Sequence, residues 1–168
     1  MSRGWARHAG LAVGLPLASV DTDQLIPARF MSTPRSEGYG RFLLHDLRHG
    51  PDGAALPEFP LNRPEAAGAS ILVARRNFGA GSSREAAVYA LVDAGFRAVI
   101  APSFGDIFAG NAVNNGLAPL RVGEADAERL LAALPGRLTV DLEAGRVEGA
   151  GAPVGFELDP VWRLKLVN

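Results

Sequence analysis

Two glycines, two hydroxyls and a guanidinium fall within six residues at Gly79-Ala80-Gly81-Ser82-Ser83-Arg84, the stretch of the chain best suited to chemistry. The glycines let the backbone turn tightly. A helix starting directly behind them would present N–H groups without intrahelical partners and the positive end of a dipole, and both favour an anion. Ser82 and Ser83 add donors, and Arg84 can grip a carboxylate through two parallel hydrogen bonds. A polycarboxylate therefore suits the stretch better than a neutral molecule. Spacing alone leaves a plainer alternative open, in which Ser82 and Glu85 form an S-x-x-E capping box and Ser82 does nothing more.

Other motifs fail on particular residues. A dinucleotide fingerprint needs a small residue where Arg84 stands, a phosphate-binding NTPase loop needs Gly-Lys before its hydroxyl, and a Gly-x-Ser-x-Gly nucleophile elbow is absent. His45 and His49 have the spacing of a zinc-binding helix face, but Asp46 is shorter than the required Glu and only His8 remains as a third imidazole; a solvated helix flank is the expected reading. Asp21-x-Asp23 resembles the start of a calcium loop, yet Ile26 and Ser32 replace the Gly and the bidentate Glu. Asp21, Thr22 and Asp23 otherwise read as turn chemistry, and Leu25, Ile26 and Phe30 as core or loop anchors.

These residues need elements to hold them. Leu11 to Leu17 reads as a first strand running into Val20-Asp21-Thr22-Asp23, and Tyr39, Phe42, Leu43 and Leu47 fall at helical spacing ahead of the stop Gly50-Pro51. Pro51 to Gly68 reads as a surface connection. Ala69 to Ala74 and Ala98 to Ala101 are short apolar runs typical of buried strands. A helix runs from Ser82 to Ala94. A second follows Ser103 with Asp106 as a repeated capping pair, carries Phe104, Ile107, Phe108 and Ala112 on one apolar face, and ends at Gly116. Leu117 to Val122 reads as a strand, and Ala127, Leu130, Leu131 and Leu134 mark a third helix. Alternating Leu138, Val140 and Leu142 then turn back through Glu143-Ala144-Gly145 into Arg146 to Glu148. The fold class is α/β, with strands crossed over by helices and hairpin strands at the end.

Bulk properties narrow the function. A chain of 168 residues with 48% hydrophobic and 21% charged residues has material for one cored domain, so 1–168 reads as a single unit. A net charge of -1 with scattered basic residues leaves no footprint for nucleic acid or an anionic membrane, which favours small or protein partners. With no cysteine, disulfides, thiol catalysis and cysteine-held iron–sulfur clusters are excluded for this chain. Arg3 and Arg7 before the apolar run Ala9 to Ala18 mimic a leader peptide, but Gly10, Gly14 and Pro16 interrupt the run. No segment approaches the roughly 20 apolar residues of a membrane span, and a cytoplasmic protein is the default expectation.

Taken together, Val20-Asp21-Thr22-Asp23-Gln24-Leu25-Ile26-Pro27-Ala28-Arg29-Phe30, then Asn77-Phe78-Gly79-Ala80-Gly81-Ser82-Ser83-Arg84-Glu85, and Ala101-Pro102-Ser103-Phe104-Gly105-Asp106-Ile107-Phe108 with Asn111 to Asn115 resemble, in order and spacing, the small-subunit family of bacterial 3-isopropylmalate dehydratases within the aconitase swivel-domain superfamily. The resemblance runs from about His8 to Arg163. It implies a swivelling domain with β/β/α layers that docks on a larger subunit, the bearer of a 4Fe-4S cluster held by cysteines, so that no cofactor is bound by this chain. It implies interconversion of 2-isopropylmalate and 3-isopropylmalate, small dicarboxylates of leucine biosynthesis, by dehydration and rehydration. Ser82 inherits the role of the base that removes the carbon-bound proton. Ser83 and Arg84 inherit substrate-carboxylate binding, and Thr22 and Asp23 match a pair that lines the aconitase site. The loop from Arg29 to Gly38 inherits recognition of the substrate's variable group, where apolar Phe30 and Met31 suit an isopropyl substituent. Three departures stand out: Ala80 where the family usually has Cys, Ala86 where it usually has His, and a further short segment in relatives beyond the position of Asn168. The first two leave room for a related hydro-lyase acting on a methylmalate or methylcitrate type of diacid, or for a non-catalytic binding subunit.

Overall fold

Four apolar runs build the parallel half of one sheet: β1 (Arg7–Leu15), β2 (Ile71–Ala74), β3 (Ala98–Ala101) and β4 (Ala118–Arg121). The computed structural model describes residues 4–168. β5 (Gly136–Asp141), β6 (Arg146–Glu148) and β7 (Val154–Gly155) continue antiparallel, giving the order β4-β3-β2-β1-β5-β6-β7. The sheet curls back on itself: Arg121 at the β4 edge exchanges backbone hydrogen bonds with Glu157, just past β7.

β1 begins and ends earlier than the apolar run suggests. From Arg7 onward it pairs with β5, so polar residues belong to the ladder, while Pro16 has no N–H to continue it and Leu17 is left exposed. The leader-like run is thus the middle strand of the sheet; Arg3 lies outside the described residues. No helix among the described residues is long and apolar enough to cross a membrane.

Side chains alternate across the strands into two cores. Val13, Leu15, Leu72, Ala74, Val99 and Ala101 face a core shared with α3 (Glu85–Asp93), whereas Ala12, Ile71, Val73, Ala98 and Ile100 join the core inside the curl, with α5 (Glu124–Ala132) and the β5 to β7 strands. α4 (Asp106–Asn114) carries Phe108 and Ala112 into the first core and Val113 into the second. The Pro51 to Gly68 connection is a mostly exposed chain with short 3-10 turns.

Several expected elements form differently. The helix expected over Tyr39 to Leu47 breaks into a 3-10 turn (Gly40–Phe42), a left-handed Leu44 (φ 53°) and α2 (His45–Arg48). Tyr39, Phe42, Leu43 and Leu44 are all buried, and a regular helix cannot turn all of them onto one stripe; the break also lets Leu44 N–H reach the Leu25 carbonyl. α3 starts at Glu85 rather than Ser82, with Arg84 as its N-cap and no capping side chain. Ser103 does not cap α4 either: Gly105 takes that place, and the Ser103 hydroxyl instead accepts the Asn77 N–H at 2.8 Å. Ile107, expected on the apolar face of α4, is 61% exposed. At the chain's end α6 (Pro160–Val167) adds a helix to the expected β-rich unit, started by Pro160 and by the Asp159 carboxylate, which accepts from Val161 and Trp162.

Gly105 sits where a Cβ would lie 2.5 Å from the Gly79 carbonyl oxygen, backbone that cannot swing aside. Gly105→Ala should cost about 1–3 kcal/mol and lower the melting temperature by roughly 2–4 °C per kcal/mol lost. Thermal unfolding followed by circular dichroism measures it; an unchanged midpoint would show that the approach is not tight.

Candidate active site

The three sequence motifs meet because they leave the carboxyl ends of neighbouring parallel strands, where open α/β sheets leave a crevice for ligands. Beyond the regular ladder they go on pairing through backbone groups. Gly79 N–H donates to the Val20 carbonyl at 2.7 Å and Thr22 N–H to the Ala80 carbonyl at 2.9 Å. On the other side Phe78 N–H donates to Ser103 O at 3.0 Å, and Gly105 N–H returns to Phe78 O at 2.9 Å. The Gly79 turn is therefore laced between its two neighbours. Gly79 has φ +78°, and a side chain there would collide with the Phe108 ring, so only glycine serves.

One turn of helix, α1 (Thr22–Leu25), would not persist alone. A capping box holds it: Gln24 N–H donates to the Asp21 carboxylate at 2.8 Å, and Asp21 N–H donates to the Gln24 side-chain oxygen at 3.0 Å. Leu25 and Ile26 anchor it in the core at 0% exposure. From this platform the Thr22 hydroxyl, 2% exposed as a residue, donates to the Ser82 carbonyl at 2.6 Å. The Arg84 guanidinium donates through Nη1 to Asp23 Oδ1 at 2.6 Å.

Ser82 and Ser83 are exposed, and Arg84, with 22% of its side chain accessible, is half-buried beside them. Neither serine hydroxyl has a protein partner among the described residues, nor do the N–H groups of Ser82, Ser83 and Arg84. With Thr22 and Gly81 they border a cavity of about 280 Å³ whose far wall runs from Gly105 to Phe108. Its donors suit an anion rich in oxygen, and its floor is backbone held from both sides. Of the sequence candidates, Ser82, Ser83, Arg84 and Thr22 come together on this cavity, and Asp23 joins them through Arg84.

Phe30 and Met31 do not line this cavity. Phe30 stacks on Phe42 with ring centroids 4.4 Å apart, as the loop-anchor reading expects, and Met31 is 40% exposed on the surface. The loop carrying them is pinned to α3: Arg35 pairs with Asp93 at 2.9 Å and lies 3.8 Å over the Tyr89 ring. Burial pushes the Asp93 carboxyl up, but the Arg35 guanidinium and the Tyr39 N–H outweigh it and hold the group below the usual carboxylate range. Ala80 lies half-buried in the turn itself, while Ala86 points into the core under α3. His45 at the start of α2 and His49 just past its end stack at 4.2 Å, His49 Nδ1 meeting the His45 carbonyl at 2.8 Å and His45 meeting Asp46. Among the described residues no three His, Cys, Asp or Glu side chains assemble into a ligand set. Two roomier depressions, about 510 Å³ beside His45 and about 380 Å³ between α4 and α6, lack hydroxyl and guanidinium groups gathered on one backbone turn. Sequence reading overlooked the Asp21 to Gln24 box, although Asp-x-x-Gln has capping-box spacing. It also overlooked the bond from Thr22 to the Ser82 carbonyl, for which no local pattern exists.

Known proteins resemble the chain in sequence and in fold. The model of the aconitase C-terminal domain family matches residues 3–125. A protein of Shouchella clausii named 3-isopropylmalate dehydratase small subunit is 45% identical over 164 residues, covering 96% of this chain and 83% of the relative. One of the same name from Geobacillus kaustophilus is 49% identical over 159 residues, covering 91% and 80%. The crystal structure of a 3-isopropylmalate dehydratase from Methanocaldococcus jannaschii superposes with a TM-score of 0.70 at 28% identity, over 94% of this chain and 86% of that one.

Thr22→Val keeps the shape of the buried side chain and deletes the donor to the Ser82 carbonyl. The loss should be about 1–2 kcal/mol, read as a lower urea midpoint with an unchanged slope; an unchanged midpoint would mean the bond contributes nothing net.

Proposed function

The chain belongs to the aconitase C-terminal domain family, among the small subunits of 3-isopropylmalate dehydratases, and on that premise we propose that it takes part, as one chain of a heteromer, in interconverting 2-isopropylmalate and 3-isopropylmalate. The observation that carries the reading is the convergence of Ser82, Ser83 and Arg84, with unpaired donors, on one cavity at the carboxyl ends of three parallel strands.

Dehydration removes a proton from one carbon and a hydroxyl from its neighbour, leaving an unsaturated diacid; rehydration in the opposite sense gives the isomer. Ser82 Oγ takes the carbon-bound proton and later returns it. A serine hydroxyl is a very weak acid, so its alkoxide needs fixed positive potential nearby. The start of α3, the free N–H groups of residues 82–84 and the Arg84 guanidinium are the sources at hand. Arg84 and Ser83 hold a substrate carboxylate, which fixes the carbon to be deprotonated against Ser82. A 4Fe-4S cluster, when present in the larger subunit, supplies the Lewis acid for the departing hydroxyl; this chain, without cysteine, has no thiolate to hold one. Phe30 and Met31 would meet the isopropyl group only where the partner brings the substrate against the Arg29 to Gly38 loop.

A second reading, a related hydro-lyase for another small polycarboxylate of methylmalate or methylcitrate type, is motivated by Ala80, which departs from the family's usual residue in the turn itself. Turnover on a panel of 2-hydroxy diacids by the reconstituted heteromer separates the two readings, and absence of turnover on every one would leave a non-catalytic binding subunit.

Ser82→Ala, reconstituted with the large subunit, should lower kcat on 2-isopropylmalate by about 10²–10⁴-fold, the usual weight of a proton-transfer group. Folding and docking should persist, because the Ser82 hydroxyl has no hydrogen-bond partner among the described residues. Turnover equal to wild type would remove Ser82 from the reaction.

A further inference from the structure

Asp23 is drawn onto Arg84 rather than into open solution. Its carboxylate takes Arg84 Nη1 at 2.6 Å, and the same nitrogen lies 3.4 Å from the Ile26 carbonyl. Both acceptors sit on or directly after α1, the turn whose Thr22 also holds the Ser82 carbonyl. A guanidinium carries five N–H donors in a rigid fork. Asp23 and Ile26 occupy one end of that fork; Nε and Nη2, the edge that can meet a carboxylate side-on with two parallel bonds, have no protein partner among the described residues. Arg84 lines the cavity beside both serines.

We propose that Asp23 is a positioning residue: by fixing Nη1 of Arg84 it presents the Nε and Nη2 edge to a substrate carboxylate, and it does not itself contact the substrate. An Asp23 aimed at the substrate would set two carboxylates against each other, and the ion pair removes that conflict. Arg84 without the pair would sample several rotamers, and each ordering event would weaken binding. Asp23 is exposed enough, at 66% of its side chain, for the pair to add little to stability, so its value lies in orientation. This inference rests on the dehydratase reading.

The test uses the heteromer reconstituted with cluster-loaded large subunit and 2-isopropylmalate as substrate. Turnover by the wild type is the first measurement, and its absence would defeat the functional reading while leaving the inference about Asp23 to the remaining diacids of the panel. With turnover in hand, Asp23→Ala should raise KM on the order of 10-fold or more with a smaller change in kcat. Asp23→Asn, whose amide oxygen still accepts from Nη1, should recover most of the loss. In an Arg84→Lys background, which has no fork to orient, Asp23→Ala should add little. Affinity for the large subunit and the melting temperature should match wild type in both single variants. An unchanged KM in Asp23→Ala, no recovery in Asp23→Asn, an undiminished penalty beside Arg84→Lys, or a loss that appears in docking instead of KM would each overturn the proposal.

Discussion

Gly105 has no side chain because the Gly79 carbonyl stands where one would go, and most of the site follows from that approach. It lets the chain after β3 run alongside the chain after β2, so that past the last strand residue Phe78 donates its N–H to the Ser103 carbonyl and accepts the Gly105 N–H. The Gly79 turn, held equally by Val20 and Thr22 on its other flank, cannot tilt toward either side. Ser82 and Arg84 inherit their positions from that turn. In the proposed role, a hydroxyl that must meet one proton of one carbon needs placement within a fraction of an ångström, and the backbone ladders rather than a loop's own preferences would supply it.

The same arrangement explains why Ser82 is free. A serine directly after a positive-φ glycine (Gly81, φ +91°) could have capped α3, which would have turned its hydroxyl onto the backbone. The helix instead starts at Glu85, behind an extended Arg84, and the three residues between turn and helix keep their hydroxyls and N–H groups for something outside the chain. The work of fixing this segment passes to α1, which grips the Ser82 carbonyl and the Arg84 guanidinium from the side. Binding groups stay unoccupied because the holding is done by groups that binding does not use.

Much of this was legible in the residues. The buried strands at Ile71–Ala74 and Ala98–Ala101 announce themselves as apolar runs, and the hairpin at Gly145 as a glycine between alternating stretches. Gly79 to Arg84 reads as a candidate anion site from its residue types and spacing, with a plain capping role as the alternative, and the family resemblance ties it to Val20 to Phe30 and Ala101 to Phe108, which the fold brings beside it. The failures share a cause. Helix starts at Ser82 and Ser103 were read from local capping rules, but Ser103 had a distant donor in Asn77 and Ser82 was held through its carbonyl by a threonine sixty residues earlier. The helix over Tyr39 to Leu47 yielded to tertiary burial, which placed four neighbouring large side chains inside at the cost of a left-handed Leu44. Local spacing cannot register a partner far along the chain.

What the fold builds is a donor surface more than an enclosed active site. Ser82 and Ser83 face outward, and the about 280 Å³ cavity has walls from this chain on only part of its circumference. In contact with bulk water the electrostatic support for an alkoxide is weak, because the field of a helix start and a guanidinium is screened there, while the same groups act far more strongly once water is excluded. On the proposed reading, proton abstraction by Ser82 requires another surface to complete the enclosure. On that reading, a rigid donor surface set on a sheet, rather than on a mobile loop, would allow two separate chains to meet with the reacting atoms already in register.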